Sequence, residues 1–267
     1  MEMDGWKPFR LRNDFVRCRF MQVTHIFHSG FFVETEQADF LFDWWKGTLP
    51  ARTDDRKPFY VFVSHSHGDH YNPDIFGLDA DAYLLSWDMK PLIDERFPDL
   101  RDSRRLFFLR PHQSLVSEAS ASSEAGQAFI LQNAPGMSRD SLAPSTLFSV
   151  YTLASNDLGV AFVVRTPEGS LYHAGDLNNW WWDGDADDRR LAHFYHDELS
   201  RIKGTHFAAA MIPYDLRLKE PGYGIRDFLR YCSADAIYPM HENADIASAK
   251  HAFASDPLMK GVQNVYF

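Results

Sequence analysis

An α+β fold, two mixed β-sheets packed together with helices outside, is what this sequence predicts, and two observations carry the prediction. Short runs of β-branched and aromatic residues recur through both halves of the chain, at first with little helix between them and then alternating with segments of helical period. One such run, Phe59-Tyr60-Val61-Phe62-Val63, leads straight into Ser64-His65-Ser66-His67-Gly68-Asp69-His70. Three histidines and an aspartate within six residues are hard to explain as packing, and neutral imidazole is the commonest side-chain metal ligand. His65 and His67 point the same way from an extended segment. Gly68 is expected to let the chain fold sharply, so that Asp69 and His70 face a second point nearby.

Length and composition bound the answer. With 267 residues, 45% hydrophobic and 15% aromatic, the chain can bury a sizeable core, and a single domain over 1–267 is expected. The formal net charge of -10 argues against a nucleic-acid or anionic-membrane partner, because like charges repel. A small-molecule substrate is the partner expected instead. Only two cysteines occur, Cys18 and Cys232, too few for a disulfide framework and best read as buried thiols. Asp4, Lys7, Arg10, Arg12, Asp14 and Arg17 interrupt the first twenty residues, which predicts no signal peptide. No run approaches the ~18 apolar residues of a membrane span. A cytoplasmic setting follows as the default.

Taken in order, residues 15–24 and 30–35 alternate as strands do, with Val16, Cys18, Phe20 and Gln22 on one side and a break at Thr24–Gly30. Asp39-Phe40-Leu41-Phe42-Asp43 is a short strand ending in a carboxylate, and Phe59–Val63 a buried one. Asn72-Pro73 opens a turn or short helix, since proline suits the first helical position. Ala82–Leu85 and Leu106–Leu109 read as strands around a weak helix, Lys90–Phe97. Residues 117–127 are small and polar, and a loop insertion is expected near 116–146. The second half supplies strands at Leu147–Leu153, Val160–Val164, Ser170–Ala174, Phe207–Ile212 and Ala236–Met240. Between them, Leu191, Tyr195, Leu199 and Ile202 recur at helical spacing over Asp187–Lys203, closed by Gly204. A helix over Gly222–Ser233, another from Asp245 to about Ala254, and a terminal strand complete the reading.

The spacing H-x-H-x-D-H over His65, His67, Asp69 and His70 resembles the signature of the metallo-β-lactamase superfamily of metal-dependent hydrolases. The other motifs follow in that superfamily's order from about residue 20 to 250: Asp43 at an early strand end, Gly175-Asp176, and His241 after a late apolar strand. The resemblance implies a four-layer αβ/βα sandwich. It also implies a metal site built from His65, His67, Asp69, His70, Asp176 and His241, with Asp176 bridging two ions. One position departs from the pattern. The loop Ser155-Asn156-Asp157-Leu158-Gly159 holds no histidine where the superfamily usually supplies one. Asn156 stands about there with Asp157 beside it, and of the two a carboxylate is the serviceable ligand. With Asn156 in that place the His65/His67 side is expected to have three protein ligands, unless the loop turns Asp157 inward. The stretch Gly175–Trp182 adds similarity to a bacterial branch of the superfamily, with a looser likeness to its lactonase and phosphodiesterase members.

The resemblance implies one or two Zn2+ ions, with Mn2+ or Fe2+ as alternatives, and hydrolysis of a small ester, lactone or phosphodiester by a metal-activated water. Asp69 is expected to accept a proton from that water as well as to bind metal. Asp43, Asn156, Asp157 and Asp215 are placed as additional ligands or as groups that orient the ligands. The alternative is a catalytically weak member acting as a metal-binding sensor; a nuclease is a third reading, lowered by the acidic balance. Trp180, Trp181 and Trp182 are expected either to wall a substrate pocket or to cover a sheet edge. His25 and His28 lie in a turn beside the site, where contact with substrate or metal is weighed against a turn or core role, and the latter is the simpler expectation. His173 reads as a strand residue with its ring hydrogen-bonded.

Overall fold

The computed structural model describes residues 20–118, 128–133, 142–242 and 246–267. The first sheet is built from β1 (Met21–Phe27), β2 (Gly30–Thr35), β3 (Asp39–Phe42), β4 (Phe59–Val63), β5 (Ala82–Ser86) and β6 (Leu106–Leu109), in that spatial order. Its first two pairings are antiparallel and the last three parallel. A parallel step requires a crossover, and α1 (Met89–Arg96) supplies the one between β5 and β6. Every residue of β4 is buried, as expected of a strand covered on both faces.

The second sheet takes β7 (Gln113–Glu118), β8 (Ala128–Asn133), β9 (Thr146–Ala154), β10 (Val160–Thr166), β11 (Gly169–His173), β13 (Ala209–Pro213) and β15 (Ile237–Met240) in the order β15-β13-β11-β10-β9-β7-β8. A two-stranded ribbon pairs β12 (His206–Phe207) with β14 (Ser233–Ala234). The helices of this half are α2 (Ala186–Arg201), α3 (Tyr223–Tyr231) and α4 (Ile246–Ser255).

The two sheets face each other through aromatic side chains. Phe148 of β9 meets Tyr60 at 4.5 Å and Phe40 at 5.4 Å between ring centroids, and Phe62 meets Phe162 edge-on at 5.2 Å. Alternate residues of the first sheet, Leu41, Val61, Val63 and Leu85, point the other way and pack under Met89 and Ile93 of α1. Tyr195 and Leu199 of α2, with Ile225 and Phe228 of α3, cover the outer face of the second sheet, where Tyr172 stacks on Phe228 at 5.0 Å. The result is helix, sheet, sheet, helix: the αβ/βα sandwich that the strand pattern implies.

Several local expectations are corrected. The strand before the first turn runs to Phe27 rather than breaking at Thr24, because the reversal is made tightly at His28 and Ser29, with His28 at φ 56°. Val16 and Cys18 lie outside the described residues. Gly68 is not among the residues with positive φ, and a Cβ there would meet nothing. The sharp turn after His67 is closed instead by the His70 N–H donating to the His67 carbonyl (3.1 Å). Phe207–Ile212 is interrupted at Ala208, which separates β12 from β13. In place of a terminal strand, Val265 makes an isolated bridge to Ile237. Within the expected insertion, Ala128–Asn133 is an edge strand, while 119–127 and 134–141 lie outside the described residues.

Because Phe62 sits fully buried among Phe40, Phe42, Phe148 and Phe162, Phe62→Ala should cost about 3–5 kcal/mol in transfer and cavity terms. Urea unfolding of the metal-free protein measures it, and a loss below ~1 kcal/mol would mean that the sheets are not joined through this ring.

Candidate metal centre

The site lies at one end of the sandwich, where the loops after β3, β4, β9, β11, β13 and β15 meet. Its organiser is Asp43, which follows β3, is buried, and has φ 41°. Its Oδ1 accepts from the Ser64 N–H (2.7 Å), and its Oδ2 accepts from the Ser64 hydroxyl (2.5 Å) and from His70 Nδ1–H (2.8 Å). With its proton given to Asp43, the Ser64 oxygen accepts from His65 Nδ1–H at 3.0 Å. One carboxylate thereby sets the tautomer of two histidines, directly for His70 and through Ser64 for His65. His241, at φ 66°, is held in the same manner, its Nδ1–H donating to Asp215 Oδ2 at 3.1 Å. Asp215 is fixed in turn by two nitrogens of the Arg217 guanidinium.

The opposite nitrogens converge on Asp176. His70 Nε2 and His241 Nε2 stand 3.1 and 3.3 Å from its Oδ1, and His65 Nε2 stands 3.4 Å from its Oδ2. Each carboxylate oxygen thus faces its own set of imidazoles. His65 Nε2, His70 Nε2 and Asp176 Oδ1 are buried without a hydrogen-bond partner among the described residues. Unpaired polar atoms at such depth are costly, and three pointing at one another form a donor set that would suit a divalent cation. Donors sharing one ion at ~2.0–2.1 Å can be no more than ~4.2 Å apart, a limit these separations satisfy.

Asp157 completes the side nearer solvent. Its Oδ2 lies 3.9 Å from His67 Nδ1, and His67, Asp157 and Asp176 form one group with metal-ligand spacing. Asn156 does not turn inward. Its amide nitrogen donates to the carbonyls of Asn178 (2.6 Å) and Leu191 (3.2 Å), and its oxygen accepts from the Asn178 N–H. The structure therefore sets Asp157, not Asn156, beside His67. Asp69 faces the opposite side, grouped with His70, His241 and His28. His28 is the group that sequence reasoning underrated; its only signal was a position in a turn near the site. His173 behaves as expected, with Nε2–H donating to the Ser29 carbonyl at 2.9 Å.

The two halves of the sandwich are keyed together at Ser64. Its carbonyl accepts from the Val160 N–H at 3.0 Å. Gly159 (φ 77°) and Gly175 (φ 51°) press against it so closely that an added Cβ would fall 2.0 Å from the Ser64 carbonyl oxygen and 2.7 Å from the Ser64 Cβ. Both the left-handed backbone and the contact demand glycine. A cleft of about 350 Å³ opens beside the centre, lined by His67, Asp69, Asp157 and Asp176 on one side and by Trp180, Trp182, Leu191 and Arg217 on the other. Trp180 and Trp182 stack at 6.1 Å along the wall, and Trp180 Nε1–H donates to the Asp176 carbonyl. Trp181 instead turns to Tyr223 of α3.

Electrostatics follow from burial and neighbours. Burial pushes the Asp176 carboxyl up, but His70 and His241 outweigh it and hold it well below the usual carboxylate range. Burial opposes charge on His70, yet Asp176 and then Asp43 push it up to about 10. His241, likewise buried, is pushed up to about 9 by Asp176 and Asp215. His65 is lowered to about 4, chiefly by burial and then by the charge of His70. Burial and the nearby Asp176 raise Asp157.

No family model and no curated protein matches the sequence. Solved structures do match in fold. A metallo hydrolase from the archaeon Ignicoccus hospitalis superposes with a TM-score of 0.52 at 15% identity, over 92% of this chain and 94% of that one. A candidate metal-dependent hydrolase from Parabacteroides distasonis gives 0.52 at 11%, over 93% of both chains. CmlA, a diiron β-hydroxylase from Streptomyces venezuelae, gives 0.54 at 10%, over 92% of this chain and 52% of that one. At such identities the likeness is one of fold alone.

Both His70 and His241 hold a proton at neutral pH when no metal is present, since their raised values of about 10 and about 9 lie above 7. A cation binding at Nε2 must displace it. Metal uptake at pH 7 should therefore release on the order of two protons per protein, falling toward none as pH rises past both values. Calorimetry in buffers of different ionisation enthalpy measures this, and uptake at pH 7 without proton release would mean that both imidazoles are already neutral before metal binds.

Proposed function

We propose that the protein is a metal-dependent hydrolase acting on a small ester, lactone or phosphodiester in the cleft beside Asp176. The observation that carries the reading is the convergence of the buried, unpartnered atoms His65 Nε2, His70 Nε2 and Asp176 Oδ1, the two imidazoles each fixed by a partner at the opposite ring nitrogen. His65, His67, Asp157 and Asp176 would hold one cation, and Asp69, His70, Asp176 and His241 a second, with Asp176 shared. Divalent ions bound there supply an acidified water and a polarised scissile oxygen.

The chain's own groups do the remainder. Asp69, 42% exposed at the cleft, is placed to accept a proton at its carboxylate. Trp180 and Trp182 offer the apolar part of a substrate a flat wall. Arg217 is the one arginine or lysine lining that cleft among the described residues, and its side chain, 54% exposed, is held in place by Asp215. Asp43, Ser64 and Asp215 keep the imidazoles aimed, a role whose loss typically costs ~10–100-fold in metal affinity or activity. Zinc suits the imidazole-rich side. The carboxylates Asp157 and Asp176 beside His65 and His67 also fit iron(II) or manganese(II), so metal analysis of the purified protein identifies the ion.

The test is turnover of nitrophenyl esters, simple lactones and bis(nitrophenyl) phosphate, before and after chelation and metal return. Asp176→Ala should lose more metal and more activity than Asp157→Ala, by ~10²-fold or more in rate, because it removes a ligand from both positions. Equal loss in the two variants contradicts the shared role of Asp176. Full metal content with no turnover of any of the three substrate classes favours a metal-binding sensor instead.

A further inference from the structure

We infer that His28 is a fifth protein ligand of the position formed by Asp69, His70, Asp176 and His241, contributed by the β1–β2 turn; the inference rests on the two-cation reading above. His28 is buried, and its Nδ1 lies 3.0 Å from the Glu242 carbonyl. A carbonyl only accepts, so Nδ1 carries the hydrogen and Nε2 presents a lone pair. That lone pair is buried with no hydrogen-bond partner among the described residues. It points at Asp69 Oδ2, 3.6 Å away, and lies with ligand atoms of Asp69, His70 and His241 in one group within 4.8 Å. This is the arrangement seen at His65 and His70: one nitrogen anchored from behind, the other buried without a hydrogen-bond partner among the described residues and aimed at the centre.

The backbone supports the assignment. His28 adopts φ 56°, a left-handed conformation that is uncommon for residues other than glycine. Its carbonyl accepts both from the His241 N–H (3.2 Å) and from the His25 ring (2.9 Å). The turn is thus locked to the loop that carries His241, and the two rings lie 4.4 Å apart. A tight β1–β2 turn would accept asparagine or glycine at this corner more readily; an imidazole there delivers a nitrogen to the centre that neither can.

A consequence follows for how the centre works. Four protein ligands already satisfy tetrahedral zinc, so a fifth crowds the Asp69/His70/His241 position. Substrate then enters on the His67/Asp157 side, where both side chains are about half exposed.

The experiment is metal titration of wild type, His28→Ala and His28→Asn, followed by mass spectrometric metal content and the cobalt(II) absorption spectrum. Asparagine tolerates the left-handed backbone and can still donate to the Glu242 carbonyl, but it lacks the second nitrogen. We expect both variants to weaken one of the two metal positions at least ~10-fold, the lower end of what loss of a merely orienting partner costs. We also expect an altered cobalt spectrum, with added imidazole restoring metal to His28→Ala. Wild-type affinity and spectrum in His28→Asn, with loss confined to His28→Ala, would overturn the inference and leave His28 a prop for His241. A wild type that binds no metal would sink the two-cation reading itself, which is a separate outcome.

Discussion

Everything at the centre depends on one buried carboxylate, Asp43. It accepts three hydrogen bonds, two from Ser64 and one from His70, and burial would otherwise drive it toward its neutral form. The histidines around it, His173 and His70 foremost, outweigh that penalty and keep its pKa lowered. Because the charge is retained, it orders His70 directly and His65 through Ser64, and it ties the end of β3 to the start of the loop after β4. A neutral isostere would keep the shape and lose the charge-assisted bonds, which are roughly twice as strong as neutral ones.

The constraint spreads outward through Ser64. Its hydroxyl bridges Asp43 and His65, while its carbonyl and Cβ lie against Gly159 and Gly175 of the second sheet. Those glycines sit one residue before Val160 and one before Asp176. The spacing that lets two sheets pack therefore also brings Asp157 and Asp176 to the loop of the first sheet. Fold and site share these contacts, and positive φ occurs at three residues of the centre, Asp43, His28 and His241. Backbone strain of this kind persists where the surrounding structure over-determines it.

The cluster from His65 to His70 was legible because its residues are neighbours in sequence, and spacing alone says that they meet. The β4 strand before it was equally plain, an unbroken apolar run. What was not legible depends on remote partners. Asn156 and Asp157 differ by one position in one loop, and which of them faces the centre is decided by the carbonyls of Asn178 and Leu191 taking up the asparagine amide. The tautomer of His28 is decided by the Glu242 carbonyl, 214 residues away. Ser64 stood inside the motif, but its hydroxyl acquires a role only from Asp43. Gly68, the residue that looked indispensable, has no conformational demand upon it, whereas Gly159 and Gly175 do. β7 and β8 lie in a weakly patterned stretch, and their strand character comes from pairing with β9 and with each other.

Small metal domains commonly fold only when the ion binds, because the ligand set has no other support. Here the imidazoles are supported from behind by groups that are themselves buried and bonded: Asp43 and Ser64 for His70 and His65, Asp215 for His241, and the Glu242 carbonyl for His28. Protons on His70 and His241 balance the Asp176 charge in the absence of metal. Entry of a cation is then an exchange of charge at a shaped site, proton for metal, and not the event that builds it. The imidazole cluster keeps its geometry through that exchange because its anchors lie on the side away from the ion, in a core whose aromatic packing the metal does not touch.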